Sequence, residues 1–253
     1  MTNERAVHPM SGPINGVVLR LTLRATLSRK RAVLFAIPAV ILIGLSALLT
    51  ETAQGNGWQP VLLGTFGYTV ILALTALLVG GSVLGAEIED GSIVHLLATP
   101  VSRRSVVLTK YLLAVALTVL FAAVPEYLAG AIASGAGSKL AIGLFVGALA
   151  GSVVYNALFL MLTAAFSPGR ALALGLLYVL IWEALLANLV PGVGLLSAGH
   201  YSLAIANSIA HNGALNANLS TGTAVGMGLV VTVAALVLAV QRLSAFSIKG
   251  DVA

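Results

Sequence analysis

Cysteine is absent from the 253 residues, and charge is scarce: Asp, Glu, Lys and Arg together make up 8% of the chain. Without cysteine there can be no disulfide framework, no zinc–thiolate centre and no iron–sulfur cluster. An average soluble domain carries about 25% charged residues, so the polar coat of a soluble surface is missing too. Aromatic residues reach only 6%, and the basic residues do not interleave with them as nucleic-acid binding requires. A P-loop needs a lysine followed by Ser or Thr, so that the lysine and backbone amides hold phosphates. Here the four lysines are followed by Arg31, Tyr111, Leu140 and Gly250. Neither H-E-x-x-H nor G-x-S-x-G occurs. His200 and His211 lie 11 residues apart with no nearby carboxylate, a weak metal pair. The chain is therefore expected to be no enzyme, and to bind no metal and no cofactor itself.

Hydrophobic residues fill 59% of the sequence, and they fall in long runs. A span needs about 20 mostly apolar residues, because the hydrocarbon core is about 30 Å thick and a helix rises ~1.5 Å per residue. Six runs qualify, at 32–50, 61–85, 108–133, 140–166, 171–190 and 223–240. They are continuously apolar rather than alternating, which favours helices over a barrel. The expected fold class is an all-α membrane protein with six transmembrane helices in one domain, 1–253. Ser167-Pro168-Gly169-Arg170 breaks span 4 from span 5, and Pro191-Gly192 ends span 5.

The charges orient the bundle. The net charge is +5, but position matters more than the sum. Arg5, Arg20, Arg24, Arg29, Lys30, Arg31, Arg103, Arg104, Lys110, Arg170, Arg242 and Lys249 fall on one side; only Lys139 falls on the other. Basic short loops stay cytoplasmic, so both termini are expected inside. The basic head leads into a full-length span without a small-residue cleavage site, which reads as a retained first span rather than a signal peptide. Within 1–31, Leu19, Leu23 and Leu27 recur every four residues beside Arg20, Arg24 and Arg31. An interfacial helix over 13–31 is preferred to a plain charged anchor.

The segment 86–107 between spans 2 and 3 carries most information. Glu87, Glu89 and Asp90 precede the apolar helical run Ile93, Val94 and Leu97; Pro100 ends it, and Arg103 and Arg104 follow. Acids suit a helix start and proline a helix end. Physically this is a short amphipathic helix, fit either to dock on a soluble partner or to lie as a solvated loop. The pattern E-x-E-x-G-[ST]-[IL]-x-x-L-L-x-x-P-V-S-R, with a lysine at the foot of the next span, resembles the cytoplasmic motif of ATP-binding-cassette type-2 permeases. Glu87, Glu89, Gly91, Ser92, Leu96, Leu97, Pro100, Val101, Ser102, Arg103 and Lys110 carry the match. The resemblance implies a coupling helix seated in a groove of a separate ATPase subunit. Gly91 would allow close approach, and Ile93, Leu96 and Leu97 would be buried. Glu87, Glu89 and Arg103 would orient the helix by ion pairs. It further implies ATP and magnesium on that partner, a second permease subunit of the same or a homologous chain, export rather than import, and an outer re-entrant element. The outer segment 191–222 holds a run from Tyr201 to Ala210 too short to span, and the re-entrant reading is preferred there.

Two carboxyls lie inside spans. Glu183 is about 12 residues into span 5, hence ~18 Å deep. An ionisable group at that depth usually faces a cavity or a partner; it is either a substrate or gating contact, or an acid bonded to a neighbour such as Asn188, Tyr155 or Asn156. Glu126 follows Pro125 in the outer part of span 3, and an interfacial carboxylate reaching water is preferred there to the lining of a vestibule. Ser197 and His200 share the outer loop while Asp251 sits across the membrane, so a nucleophilic triad is poorly supported. Gly143, Gly147 and Gly151 form a small-residue stripe on span 4, echoed by Gly81 and Gly85 and by Gly222 and Gly226. Packing within the subunit is the default reading and a dimer seam the sharper one. The expected function is the permease subunit of an ATP-driven exporter in the bacterial cytoplasmic membrane. The competing reading is a self-sufficient carrier or channel using Glu126 and Glu183.

Overall fold

A computed structural model describes residues 22–23, 26–53, 55–89, 103–190, 192–211, 215 and 218–249. Among them all regular structure is helical. Helix α1 is Arg29–Thr52. Helix α2 runs as Pro60–Leu72 and continues as Ala73–Glu89. Helix α3 runs as Arg103–Thr118, Val119–Ala123 and Val124–Ser134. Helix α4 is Lys139–Ala165, and α5 joins Pro168–Leu177, Tyr178–Leu186 and Ala187–Leu189. A single tight turn, Val193–Leu196, precedes the short helix α6, Ala198–Ala210, and α7 is Thr221–Lys249. All but α6 are long and apolar enough to cross a membrane.

The six expected spans are all present, and most helices overrun the apolar runs. Helix α3 begins at Arg103 rather than near 108, and α7 continues to Lys249. Hydropathy falls where charge begins, but a helix continues until its backbone is turned. Glycine at positive φ turns the chain at the end opposite the basic residues: Gly135 (φ 92°) caps α3, while Gly55 (φ 82°) and Gly192 (φ 88°) follow three residues after α1 and α5. Ser138 then restarts the chain as α4, its side chain accepting from the Ala141 amide at 3.1 Å.

Helices α2, α3 and α4 form the centre, and α1, α5 and α7 the rim. One stripe of α1 is buried, Phe35, Pro38, Ala39, Leu42 and Ser46, at helical spacings of three and four. The opposite face, with Val33, Ile37, Val40 and Leu48, is exposed, as suits a helix whose outer solvent is lipid. Inside the bundle no water satisfies polar groups, so they must find each other. Ser46 Oγ donates to the Ala129 carbonyl (2.8 Å), tying α1 to α3. Tyr68 Oη donates to the Leu144 carbonyl (2.8 Å), tying α2 to α4. Asn156 Nδ2 donates to Thr118 Oγ1 (2.9 Å) and to the Ser152 carbonyl (2.8 Å), tying α4 to α3.

Three stretches are wound wide, in the i→i+5 manner: Pro60–Leu72 in α2, Val119–Ala123 in α3 and Tyr178–Leu186 in α5. Such winding is frequent at functional positions. Glu183 lies in the third, and Glu126 follows the second by one turn.

Helix α6 lies alongside α4 and runs antiparallel to it. Ala210 and Ala206 approach Gly143, Ala206 and Ser202 approach Gly147, and Ser202 approaches Gly151. The start of α6 therefore reaches the level of Tyr155, whose hydroxyl borders Gly199. Tyr155 is 16 residues into α4, about 24 Å along it at ~1.5 Å per residue. The chain leaves α5, dips back into the bundle, and returns as α6.

Candidate functional site

A helix that begins inside a bundle exposes its first four amides where water cannot reach them. Every one of those amides in α6 has an acceptor. Ala198 N donates to Glu183 Oε1 at 2.9 Å, and Gly199 N to Glu183 Oε2 at 3.2 Å. His200 N donates to Ser197 Oγ at 3.1 Å, and Tyr201 N to the Ser197 carbonyl at 3.2 Å. Two hydroxyls also donate to the carboxyl: Tyr178 Oη lies 2.5 Å from Oε1 and Ser197 Oγ 2.5 Å from Oε2. Glu183 is fully buried. Its acceptor oxygens face the positive end of the α6 dipole, where a helix start needs acceptors most. Gly199 is what lets it come so close. A Cβ there would sit 2.8 Å from Thr69 Cγ2, 3.0 Å from Glu183 Oε2 and 3.1 Å from the Tyr155 hydroxyl.

Of the neighbours the sequence suggests, Tyr155 does stand at the carboxyl: its hydroxyl interacts with the Glu183 side chain and also donates to the Tyr68 carbonyl (3.2 Å). Asn188 Nδ2 donates to the main-chain carbonyl of Glu183 (2.8 Å), not to its carboxyl, and Asn156 is engaged with Thr118. Tyr178, Ser197 and Gly199 are the residues that sequence reasoning missed. A signal was available: Ser197 stands four residues before the apolar run that opens at Tyr201, in the manner of a helix cap.

Ser197 and His200 come together, with Oγ and Nδ1 3.0 Å apart, but they do not form a hydrolase triad. In a triad the imidazole stands between carboxylate and hydroxyl. Here the hydroxyl stands between carboxyl and imidazole, and its oxygen is taken up by the cap. Asp251 lies outside the described residues. Burial lowers the His200 pKa below its ordinary 6.5. His200 also borders a cavity of about 470 Å3 at the end opposite the basic residues, with Thr65, Asn188 and Asn218 as its other polar walls. His211 is exposed at the end of α6, and no cluster of metal-binding side chains occurs among the described residues.

Glu126 does not reach water as an interfacial carboxylate. It is fully buried, and neither oxygen has a hydrogen-bond partner among the described residues. The reason is Gly67 in α2. A Cβ on Gly67 would fall 2.0 Å from Glu126 Oε1, so the missing side chain is the space the carboxyl occupies. The two carboxyls thus contrast, one fully engaged and the other unengaged.

At the basic end, Gly91, Ser92, Ile93, Leu96, Leu97 and Pro100 lie outside the described residues. Glu87 and Glu89 fall in the last turn of α2 and Arg103 begins α3. Much of the interfacial segment 13–31 also lies outside. Lys110, two turns into α3, bonds α3 to α2. It is buried, and its ammonium donates to the Val83 carbonyl at 2.8 Å. A buried charge bonded across two helices holds them at fixed separation where they enter the loop.

Gly143, Gly147 and Gly151 face α6 within the same chain. A Cβ on Gly147 would lie 2.5 Å from the Ser202 carbonyl and 2.6 Å from the Tyr68 hydroxyl. Gly81, Gly222 and Gly226 have open space around them, and Gly85 makes only ordinary contacts.

Six apolar helices, polar groups paired internally and a helix capped deep in the bundle define an integral membrane protein of the multi-span helical class. Residues 26–190 match the family described as ABC-2 family transporter protein, and the chain belongs to that family. No curated protein matches the chain as a relative. The chain is thus the membrane component of an ABC-2 type transporter, a family whose permeases generally work with an ABC ATPase.

Proposed function

We propose that the chain is the permease subunit of an ATP-driven exporter of the bacterial cytoplasmic membrane. It pairs with a second permease subunit, the same or a homologous chain, and is driven by a separate ATPase that carries the ATP and magnesium. The observation that carries this reading is the family match over 26–190, which takes in α1 to α5 and runs through the loop 86–107. The one-sided distribution of arginine and lysine supports placing that loop and both termini in the cytoplasm.

In this reading Gly91, Ser92, Ile93, Leu96, Leu97 and Pro100 form the coupling helix, with Glu87, Glu89 and Arg103 orienting it. ATP binding draws the motors together and the coupling helix passes the motion to α2 and α3. Such a device works only if the ATP-bound and free states favour different membrane conformations. Glu183 serves as a positioning residue for a re-entrant α6 rather than a contact for cargo, because its oxygens already meet two hydroxyls and two amides. That occupancy weighs against the carrier reading. Glu126 stands as the gating candidate of the two.

Purification of the native assembly in mild detergent tests the proposal. A stoichiometric P-loop companion is expected. Glu87→Lys and Arg103→Glu should each weaken its association while leaving membrane insertion intact. Transport by the purified chain alone, or unchanged association and ATP-stimulated transport in both variants, would overturn it.

A further inference from the structure

Between α3 and α7, at the basic end, lies a crevice of about 370 Å3. Its walls are Val107 and Leu108 on one side and Leu236, Val237 and Val240 on the other. Arg104 and Gln241 stand at its mouth, and both are exposed. Arg104 precedes the apolar run 108–133 by one helical turn, and Gln241 directly follows the apolar run 223–240. The mouth is therefore at headgroup level and the apolar walls at acyl-chain level, whichever side of the membrane this end faces. Arg104 and Leu108 are four apart, as are Leu236 and Val240, so each helix offers one face to the crevice. The shape combines a guanidinium and an amide donor above with aliphatic walls below. A guanidinium is the side chain best matched to a phosphate. Arg242 is also exposed, next to Gln241, and no acidic residue lines the crevice among the described residues.

We propose that this crevice is a seat for one anionic phospholipid, its phosphate on Arg104 and one acyl chain between α3 and α7. Charge complementarity selects the lipid, because a zwitterionic headgroup of the same size brings no net charge to Arg104. One basic residue close to an anionic membrane surface is worth about 1 kcal/mol, which sets the expected preference at about fivefold. The inference rests on the spans alone and not on the ATPase reading.

The chain has no native cysteine, so a single reporter can be placed cleanly. Val237 is 49% exposed at the crevice rim. The full-length Val237→Cys variant, labelled with bimane, is reconstituted in phosphatidylcholine vesicles containing brominated-chain phosphatidylglycerol or, in parallel, the same mole fraction of brominated-chain phosphatidylcholine. Quenching should show about fivefold preferential occupancy by phosphatidylglycerol. The preference should shrink with added salt and vanish with Arg104→Gln. It should survive Arg170→Gln, which removes an exposed charge of the same end outside the crevice. Equal quenching by the two lipids overturns the proposal even if Arg104→Gln fails to insert. So does an equal loss of preference in both arginine variants, which would assign it to the whole face. Absence of quenching by either lipid also overturns it, since protein would then fill the crevice.

Discussion

Replacing Glu183 with glutamine keeps the shape of the side chain and removes one acceptor oxygen. The consequence follows from which donors can adapt. Tyr178 and Ser197 present hydroxyls, which can turn and accept from the new amide. The amides of Ala198 and Gly199 cannot turn, and each faces a different carboxyl oxygen. Whichever way the glutamine is rotated, one backbone N–H confronts its NH2 group. A buried donor left without an acceptor costs about 1–3 kcal/mol. For a chain of this size each kcal/mol lowers the melting midpoint by about 2–4 °C. The site supplies its own reporter. Trp182 Nε1 donates to the Leu196 carbonyl at 3.1 Å, in the turn that leads into α6. In a Trp58→Phe background Trp182 is the sole tryptophan, so its emission follows the docking of that turn. Glu183→Gln should melt several degrees below the parent, with Trp182 emission shifting before the bulk transition. A midpoint within about 1 °C of the parent and an unchanged emission profile would refute the claim that Glu183 holds the start of α6.

Three further outcomes can be read in the same melting assay. Glu126→Met should leave the protein as stable or raise its stability by about 1–3 kcal/mol, because it removes a buried polar group that has no partner among the described residues; a clear loss would mean the carboxyl has one. Gly147→Ala should cost about 1–3 kcal/mol by forcing α4 and α6 apart, whereas Gly226→Ala, into open space, should be neutral or gain up to about 1 kcal/mol of helix propensity; equal effects would contradict the packing. His200 is depressed below 6.5 in the folded state by burial, so the unfolded chain takes up its proton first as pH falls through 6.5, and stability is lost from there downward; the fall in midpoint between about pH 7.5 and about pH 5.5 should be smaller in His200→Gln than in the parent.

The spans were legible because the feature that defines them is local. A run of about 20 apolar residues needs no knowledge of its neighbours. The wide-wound stretches were not legible, since Pro60–Leu72 and Tyr178–Leu186 carry no compositional mark that separates them from ordinary helix. The depth of Glu183 could be counted along the sequence, but its partners could not. Ser197, Ala198 and Gly199 lie 14 to 16 residues on and meet it only because the chain reverses into the bundle. Glu126 shows the same gap more sharply. Its proximity to Pro125 and to the outer end suggested contact with water, whereas its environment is decided by Gly67, on another helix. A residue defined by an absent side chain elsewhere cannot be seen from its own surroundings in sequence.

The polar bonds join the helices of the bundle in sets. Lys110 joins α2 to α3 at the basic end, and Tyr68 and Asn156 fasten those two helices to α4. Glu183 fastens α5 to α6. Each bond sits where water is excluded, so breaking one leaves a buried group unpaired and costs about 1–3 kcal/mol. The exposed crevice between α3 and α7 is walled by aliphatic side chains. In the proposed reading, a push delivered at the loop 86–107 reaches α2 and α3 first, and a lipid seated in the crevice would bridge α3 and α7. If anionic lipid occupies the crevice, ATP-stimulated transport should vary with its mole fraction in the wild type and lose that dependence in Arg104→Gln. A lipid dependence identical in the two would separate occupancy of the crevice from any role in the transport cycle.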